Sequence, residues 1–217
     1  MKNETSLKDT IYSAIMDGIF SMEYRPGDIL NEKKLVERYN CSKSPVREAL
    51  IELCNENVLR SIPRYGYEVV RLTAEDIAEM IEFRLILEGG VLRERYWRIT
   101  PSQFKRLEEI NDKCELENVD AWTHWEYNTE FHIRLIGYCG SNYALEELTR
   151  CMSRLKRAYA QFYWGKWDDG IPHTDTRNHV KIIECLRGGD IDGALCYLKD
   201  DLSDFGGLKY EPRPAGS

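Results

Sequence analysis

The sequence predicts a mainly α-helical protein, with an N-terminal winged helix-turn-helix followed by a C-terminal antiparallel six-helix bundle. Two short amphipathic segments that meet at a tight turn, followed by two β-prone runs around a Pro-Arg-Tyr-Gly turn, predict the first part. Apolar residues at helical spacing through most of residues 74–202 predict the second part. We therefore expect one domain over residues 1–72, a second over residues 73–208 and a disordered tail over residues 209–217.

The first domain is expected to contain three helices. Residues 7–21 place their apolar side chains on one face, and residues 32–39 form a shorter polar-apolar segment that stops at Asn40. A third helix starts near residue 42, because Ser42 suits an N-cap and Pro45 suits a first turn, where its missing N–H is not needed. The second and third helices form the helix-turn-helix, whose last helix lies in the DNA major groove with its N-terminal end toward the bases.

The start of this third helix and the tip of the hairpin carry donors that phosphates and guanine edges accept. The β-prone runs over residues 58–62 and 67–71 form the hairpin, or wing. We expect Arg47 and Lys43 to reach base edges, while the other side chains position the DNA backbone. A two-helix packing motif that binds nothing is the alternative. The predicted DNA-binding residues are Lys33, Ser42, Lys43, Ser44, Arg47, Arg64, Tyr65 and Gly66.

The net negative charge of the protein comes entirely from the second part of the chain. The whole sequence has a formal net charge of −7, but residues 1–72 carry 11 Lys and Arg against 11 Asp and Glu. Residues 73–217 therefore carry the entire excess of acid. A neutral domain with a local basic face can still bind DNA, mostly as a dimer, with an affinity that falls steeply as salt is raised.

Composition indicates a cytoplasmic protein. No apolar run has transmembrane length, and the N-terminal residues MKNETSLKDT are too polar for a signal peptide. The seven cysteines are scattered and include no CxxC pair, which is typical of reduced, buried thiols rather than of a disulfide framework or a zinc cluster.

Six helices are predicted after residue 73, and three of them carry polar side chains at positions suited to a binding site. The predicted helices cover residues 74–98, 100–117, 120–138, 143–164, 175–187 and 191–202.

Asn128 and His132 share one helix face because they are four residues apart, and Asp175 and His179 repeat this spacing, while Asp201 lies near the end of the last helix. Two imidazoles with oxygen donors could hold zinc, nickel or manganese. Spacing alone does not bring His132 and His179 together, so two helix histidines bonded to their neighbours remain the alternative.

The sequence resembles a known family of regulators in both parts. Residues 26–70, PGDILNEKKLVERYNCSKSPVREALIELCNENVLRSIPRYGYEVV, resemble the DNA-binding domain of GntR-type bacterial transcription regulators. The motif NTEFH at 128–132, and NH at 178–179 followed by CLRGGDIDGAL, resemble the FCD effector-binding domain of the FadR subfamily.

Many members of that subfamily hold a divalent metal through an Asp or Asn and three His. The resemblance thus implies Asn128, His132 and His179 as ligands here. The fourth position falls on Asp201, which departs from the family pattern. This departure leaves either a site of harder character or a metal-free polar pocket, with a solvated acid at the helix end as the remaining alternative.

The resemblance also implies where an acidic effector would bind. Arg84, in the RxxxE pattern of FRLILE, could clamp a carboxylate with two N–H groups, although an ion pair with Glu88 at i+4 is the alternative. Arg150, Arg154 and Arg157, on the helix predicted over residues 143–164, are further candidates, of which at least one should be simply exposed; Arg154 is the second predicted effector residue. A set of aromatic residues could line the pocket or belong to the core or a dimer contact: Tyr159, Phe162, Tyr163, Trp164 and Trp167.

The function implied by the resemblance is that of a homodimeric transcription regulator, expected to be a repressor. A small organic acid in the helical domain would change the spacing of two DNA-reading heads, within the limit set by its differential affinity for the two arrangements. No nucleophile–base pair, phosphate loop or cofactor motif argues for catalysis. The alternatives are a metal-dependent enzyme with an accessory DNA-binding head, and a nucleoid-type DNA binder without an effector response.

Overall fold

The computed structural model describes residues 6–116, 119–163, 176–205 and 208–209. Within these residues it confirms a mainly helical fold with a small wing sheet. The elements found there are α1 (Leu7–Phe20), β1 (Ile29–Leu30), α2 (Glu32–Tyr39), α3 (Lys43–Asn55), β2 (Leu59–Ile62), β3 (Gly66–Val69), α4 (Ala74–Arg95), α5 (Pro101–Cys114), α6 (Ala121–Tyr138), α7 (Asn142–Tyr163), α8 (Arg177–Gly188), α9 (Ile191–Leu202), β4 (Asp204–Phe205) and β5 (Leu208–Lys209).

The chain divides into two compact units. The first contains Met1–Thr73 and Arg157–Trp164, and the second contains Ala74–Lys156 and Gly165–Ser217. None of the helices in the described residues has the length and apolar character needed to cross a membrane. All seven cysteines lie in the described part of the chain, and there each is an unpaired thiol.

The core of the first unit is formed where α1 and α3 pack together, with α2 and the sheet closing it. Its fully buried side chains include Ile11, Ile15, Val46 and Leu50. These residues recur at three- and four-residue spacing on their helices, which explains why the amphipathic pattern located both helices. Removal of this apolar surface from water is the main source of stability for the unit.

Capping fixes the ends of the helix-turn-helix. The Asn31 side chain accepts hydrogen bonds from the backbone N–H groups of Lys33 and Lys34 at the start of α2. Asn40 ends α2 in the left-handed region, with φ 46°, a conformation that Asn tolerates better than most residues. Ser42 occupies the predicted N-cap position of α3, but its side chain makes no capping hydrogen bond.

The wing is a three-stranded sheet rather than the two-stranded hairpin that the sequence predicts. Its strand order is β1-β3-β2, and both pairings are antiparallel. Leu59 pairs with Val69 across the hairpin, and Leu30 pairs with Tyr67 on the other side of β3. The third strand, β1, has only two residues and therefore has no alternation from which it could be predicted.

The last two turns of α7 belong to the first unit, although more than eighty residues of sequence separate them from Thr73. Gln161 Oε1 accepts from the backbone N–H of Leu72 at 3.0 Å, and its Nε2 donates to the Val70 carbonyl at 3.3 Å. Arg157 Nη1 donates to the carbonyl of Asn57 at 3.3 Å. These bonds connect α7 to the base of the wing and to the turn after α3.

The second unit is helical, as predicted. The helix α4 passes through Gly89 and Gly90 without interruption, and it ends at Arg95, followed by a 3-10 turn over Tyr96–Arg98. The predicted continuous helix over residues 74–98 is therefore too long by this turn. A Cβ at Gly89 would lie 3.5 Å from Leu195 Cδ2, an ordinary van der Waals distance, so the packing of α9 against α4 does not require a glycine there.

Two further details were not predicted. A capping box starts α5, because the Thr100 side chain accepts from the N–H of Gln103 and the Gln103 side chain accepts from the N–H of Thr100. A short hairpin follows α9, with Lys209 paired to Asp204. The remainder of the predicted disordered tail, residues 210–217, lies outside the described residues.

Candidate functional site

The predicted DNA-reading residues lie at the start of α3, where Ser42, Lys43 and Ser44 are all exposed. Arg47 is 60% exposed, and its guanidinium is held by the Glu32 carboxylate through two N–O contacts of 3.2 Å, from Nε and from Nη2. This pairing was not predicted, since Glu32 lies on α2 and meets Arg47 only when the helix-turn-helix folds. It orients the guanidinium at the helix surface.

At the wing tip, two of the predicted DNA-binding residues have exposed side chains, whereas the third, Gly66, is required by the backbone. Arg64 and Tyr65 are exposed, and Tyr65 keeps 72% of its surface in contact with solvent. Gly66 has φ +137°, and a Cβ there would lie 2.4 Å from the Leu30 carbonyl oxygen. The absence of a side chain at Gly66 thus lets β3 pass against β1, a structural requirement that applies whether or not the residue contacts DNA.

Three predicted metal ligands meet in the interior of the second unit. His132 on α6, His179 on α8 and Asp201 on α9 are all buried, and one possible ligand atom from each lies within 4.8 Å of the others. His132 Nε2 is 3.1 Å from Asp201 Oδ2, and His179 Nε2 is 3.5 Å from Asp201 Oδ1. The structure therefore brings together side chains whose convergence the spacing alone left open.

The hydrogen bonding of these three residues fits a bound cation. Among the described residues, His132 Nε2, both ring nitrogens of His179 and Asp201 Oδ1 have no hydrogen-bond partner, although they are buried. The 3.1 Å approach of His132 to Asp201 thus lacks the direction of a hydrogen bond. Buried polar atoms are almost always paired in native proteins, and two imidazole nitrogens with a carboxylate oxygen form a common donor set for divalent metals.

Glu88 joins this cluster to Arg84. Glu88 is completely buried on α4, and its Oε2 lies 2.8 Å from His132 Nδ1. Its other oxygen, Oε1, accepts from Arg84 Nε at 2.7 Å. Arg84 thus forms the ion pair that the sequence left as an alternative, yet its Nη2 has no hydrogen-bond partner among the described residues.

Burial and nearby charges shift the pKa values of Glu88, His132 and His179 in different ways. Burial opposes ionisation of Glu88, but the charges of Arg84 and His132 outweigh it and lower the Glu88 pKa to about 2. Burial likewise opposes protonation of His132, but the Glu88 charge and the approach of Asp201 leave its pKa raised. Burial dominates at His179, which stacks on Phe131 at 3.7 Å, and lowers its pKa to about 3.

The other predicted residues take several positions. Asn128 is half-buried one turn before His132 on α6. Arg154, on α7, is half-buried, and its Nε has no hydrogen-bond partner in the described part of the chain. Tyr159 is buried and Phe162 half-buried in the stretch of α7 that belongs to the first unit. Asp175, Trp164 and Trp167 lie outside the described residues, as does the side chain of Tyr163.

One neighbour of the cluster was missed. His124 is buried on α6, and after burial and the nearer charges it is among the groups that depress the His179 pKa. The signal was present in the sequence, because His124, Asn128 and His132 follow at i, i+4 and i+8 and so share one helix face.

Two family descriptions match the chain. "Bacterial regulatory proteins, gntR family" matches residues 7–69, and "FCD domain" matches residues 79–203, which is more than half of the sequence. The chain belongs to the GntR family and carries an FCD domain. A GntR regulator is a DNA-binding transcription regulator and not an enzyme, so the metal-dependent enzyme considered as an alternative is excluded.

Relatives that are named as transcriptional repressors are similar to this chain along most of its length. The gluconate operon transcriptional repressor of Bacillus licheniformis is 42% identical over 198 residues, covering 83% of this chain and 76% of the relative. The transcriptional repressor RspR of Escherichia coli is 26% identical over 216 residues, covering 94% and 92%. The solved structure of E. coli McbR/YncC has a TM-score of 0.73 at 20% identity, covers 91% of this chain and 93% of that one, and supports the fold.

Proposed function

We propose that this GntR regulator is a homodimeric repressor whose operator affinity is controlled by a small organic acid bound in the FCD domain. Residues 1–72 would read DNA, and residues 73–208 would bind the effector beside a divalent metal. The observation that carries the proposal is the buried cluster of His132, His179 and Asp201, whose polar atoms lack hydrogen-bond partners among the described residues. As a regulator of bacterial genes, the protein would act in the cytoplasm.

The charges around the cluster favour a metal together with an anion. Arg84 contributes one positive charge, while Glu88 and Asp201 contribute one negative charge each, so the buried groups with neutral histidines have a net charge of −1. A divalent cation would change this to +1. Because isolated buried charge is costly, a carboxylate from an effector would then be favoured, and the half-buried Arg154 provides a further positive charge for it to offset.

The two predicted effector arginines have donors available for this carboxylate. Arg84 Nη2 and Arg154 Nε are buried and without hydrogen-bond partners among the described residues. A guanidinium N–H donates a strong, charge-assisted hydrogen bond to a carboxylate. The Arg84 ion pair with Glu88 uses only Nε, so it is compatible with a role in effector binding.

The metal would be held by His132, His179 and Asp201, with Asn128 as the fourth residue of the site. When bound, it would supply a positively charged centre that attracts the oxygen atoms of the effector. A carboxylate at position 201, in place of the usual histidine, should weaken the preference for zinc and nickel relative to manganese. The name of the Bacillus relative refers to a gluconate operon, which makes gluconate a suitable first acid to test.

The metal part of this proposal is tested by thermal unfolding with zinc, nickel and manganese. Each metal that binds should raise the midpoint of the wild-type protein, because a ligand that binds only the folded state stabilises it. A variant with both His132→Ala and His179→Ala should lose this increase, whereas His124→Ala should keep it. Equal stabilisation of wild type and double variant would place the metal elsewhere.

The effector part is tested with the same proteins on a DNA fragment selected from a random pool by the wild type. Gluconate should weaken binding of the metal-loaded wild type, and a set of other small carboxylates provides the comparison. A protein whose DNA affinity is unchanged by every carboxylate and every metal would contradict the proposed control of operator binding.

A further inference from the structure

Glu88 makes one hydrogen bond within α4 and a second one that connects α4 to α6. One oxygen accepts from Arg84 Nε at 2.7 Å, and the other lies 2.8 Å from His132 Nδ1. Glu88 has no exposed surface, so no competing solvent contact is available to it. An ionised carboxylate can only accept hydrogen bonds, so His132 Nδ1 must carry a proton to bond Glu88, whereas Nε2 makes no hydrogen bond with Asp201.

We infer that Glu88 is a positioning residue that fixes the proton of His132 on Nδ1 and so keeps Nε2 directed to Asp201 and His179 as the metal-binding nitrogen. This inference rests on the proposed metal site. A histidine that binds a metal through one nitrogen commonly donates from the other to a carboxylate, which fixes both the ring orientation and the tautomer. Glu88 occupies that place for His132.

Glu88 is not itself one of the grouped ligands. The cluster of possible metal ligands found in the described residues comprises His132, His179 and Asp201. Each Glu88 oxygen is already in contact with a donor, one from Arg84 and one from His132. Its effect on a metal would consequently pass through His132, which distinguishes it from Asp201.

The substitution Glu88→Gln should keep the hydrogen bond with Arg84 and reverse the direction of the one with His132. A glutamine has one accepting oxygen and one donating NH2 group, so it cannot accept from both Arg84 Nε and His132 Nδ1. The bond to the charged guanidinium is the stronger, so the oxygen should turn toward Arg84 and the NH2 toward His132. His132 Nδ1 would then become the acceptor, and the ring proton would move to Nε2, where it blocks metal binding.

The experiment compares wild type with Glu88→Gln, using Glu94→Gln as the matched control. Glu94 lies on the same helix, carries the same charge and is exposed. Zinc and manganese affinities are measured by competition with a chelator for each protein. We expect Glu88→Gln to lose about 10- to 100-fold in affinity for both metals, as is usual for loss of such a partner, while Glu94→Gln matches wild type.

A second measurement reads the tautomer directly. Nitrogen-15 NMR of metal-free wild type at alkaline pH, where the ring is neutral, should place the His132 proton on Nδ1, and Glu88→Gln should move it to Nε2. The signal is assigned by its loss in His132→Gln. A wild-type proton on Nε2 would overturn the inference, and so would a folded Glu88→Gln protein that binds both metals as tightly as wild type.

The two proposals can fail separately. Wild type that binds neither metal would contradict the proposed metal site, yet its His132 tautomer would still decide the role of Glu88. The same wild-type spectrum decides it if Glu88→Gln does not fold. Asp201→His, by contrast, should change the ratio of zinc to manganese affinity and leave the His132 proton on Nδ1, because position 201 contacts the other ring nitrogen.

Discussion

His132 and His179 show how neighbouring residues of the same type acquire different properties. Both are buried, but only His132 has a carboxylate on each side, Glu88 at Nδ1 and Asp201 at Nε2. Those charges raise its pKa against the effect of burial. His179 stacks on Phe131 instead, and burial lowers its pKa to about 3. The stability of the metal-free protein should therefore fall on the acid side through His179, and at lower pH also through Glu88, whose pKa is lowered as well.

This difference predicts an acid dependence of stability. With a pKa of 6.5 in the unfolded chain and about 3 in the folded protein, His179 binds a proton more readily when unfolded. Its contribution is present above pH 6.5 and is lost as pH falls toward 3, with a slope of at most about 1.4 kcal/mol per pH unit. Urea unfolding of metal-free protein between these values measures it.

The matched variants are His179→Gln and His132→Gln. The first should flatten the slope between pH 6.5 and 4, because the titrating group is gone. The second should keep the slope, since the raised pKa of His132 leaves it protonated in both folded and unfolded states on the acid side of 6.5. A slope that is identical in wild type and His179→Gln would contradict the assignment.

A second prediction at the residue scale concerns Arg47 and DNA binding. Its two bonds to Glu32 hold the guanidinium at the exposed surface of α3, where we expect it to reach a guanine edge. Arg47→Ala should cost about 1–3 kcal/mol on a selected DNA site and reduce discrimination between sequences. Arg93→Ala removes an equal charge from the FCD domain and should bind DNA as wild type does. Equal affinities of all three proteins at moderate salt would contradict this role.

The helix α4 presents two chemically different faces. One face is buried and supplies Arg84 and Glu88 to the cluster, whereas Ile86 is 68% and Phe83 40% exposed on the same helix. With α9, α4 also lines a groove of about 390 Å³ that includes Leu85, Ile86 and Leu202. Neither His132 nor His179 lines this groove, so it is separate from the proposed metal site.

We expect the exposed face of α4 to supply much of the dimer contact. Ile86→Glu should weaken self-association by about tenfold or more, because a charge would enter an apolar contact. Tyr143→Glu is the control, since Tyr143 is equally exposed and an acid is favourable in the first turn of α7. Sedimentation at micromolar concentration, with and without DNA, measures the effect. A wild-type monomer in both conditions would contradict the homodimer.

Across the whole molecule, the parts that follow from local pattern were predictable and the parts that need distant contacts were not. Amphipathic spacing and capping located the helices, including α9 over Ile191–Leu202. The same patterns gave the faces that carry His132 and His179, but not their meeting. The contact of Glu88 with His132 joins residues 44 apart, and that of Arg47 with Glu32 joins residues 15 apart, so neither could be derived from spacing on one helix.

The division of α7 between the two compact units bears on how such regulators can be recombined. Gln161 holds the backbone at Val70 and Leu72 and belongs to the same unit as they do. In a chimaera that exchanges only the first 73 residues between two relatives, the backbone at Val70 and Leu72 would come from one relative. The side chain that bonds it, at position 161, would come from the other. A working hybrid should therefore take the last turns of α7 from the same relative that supplies the first 73 residues.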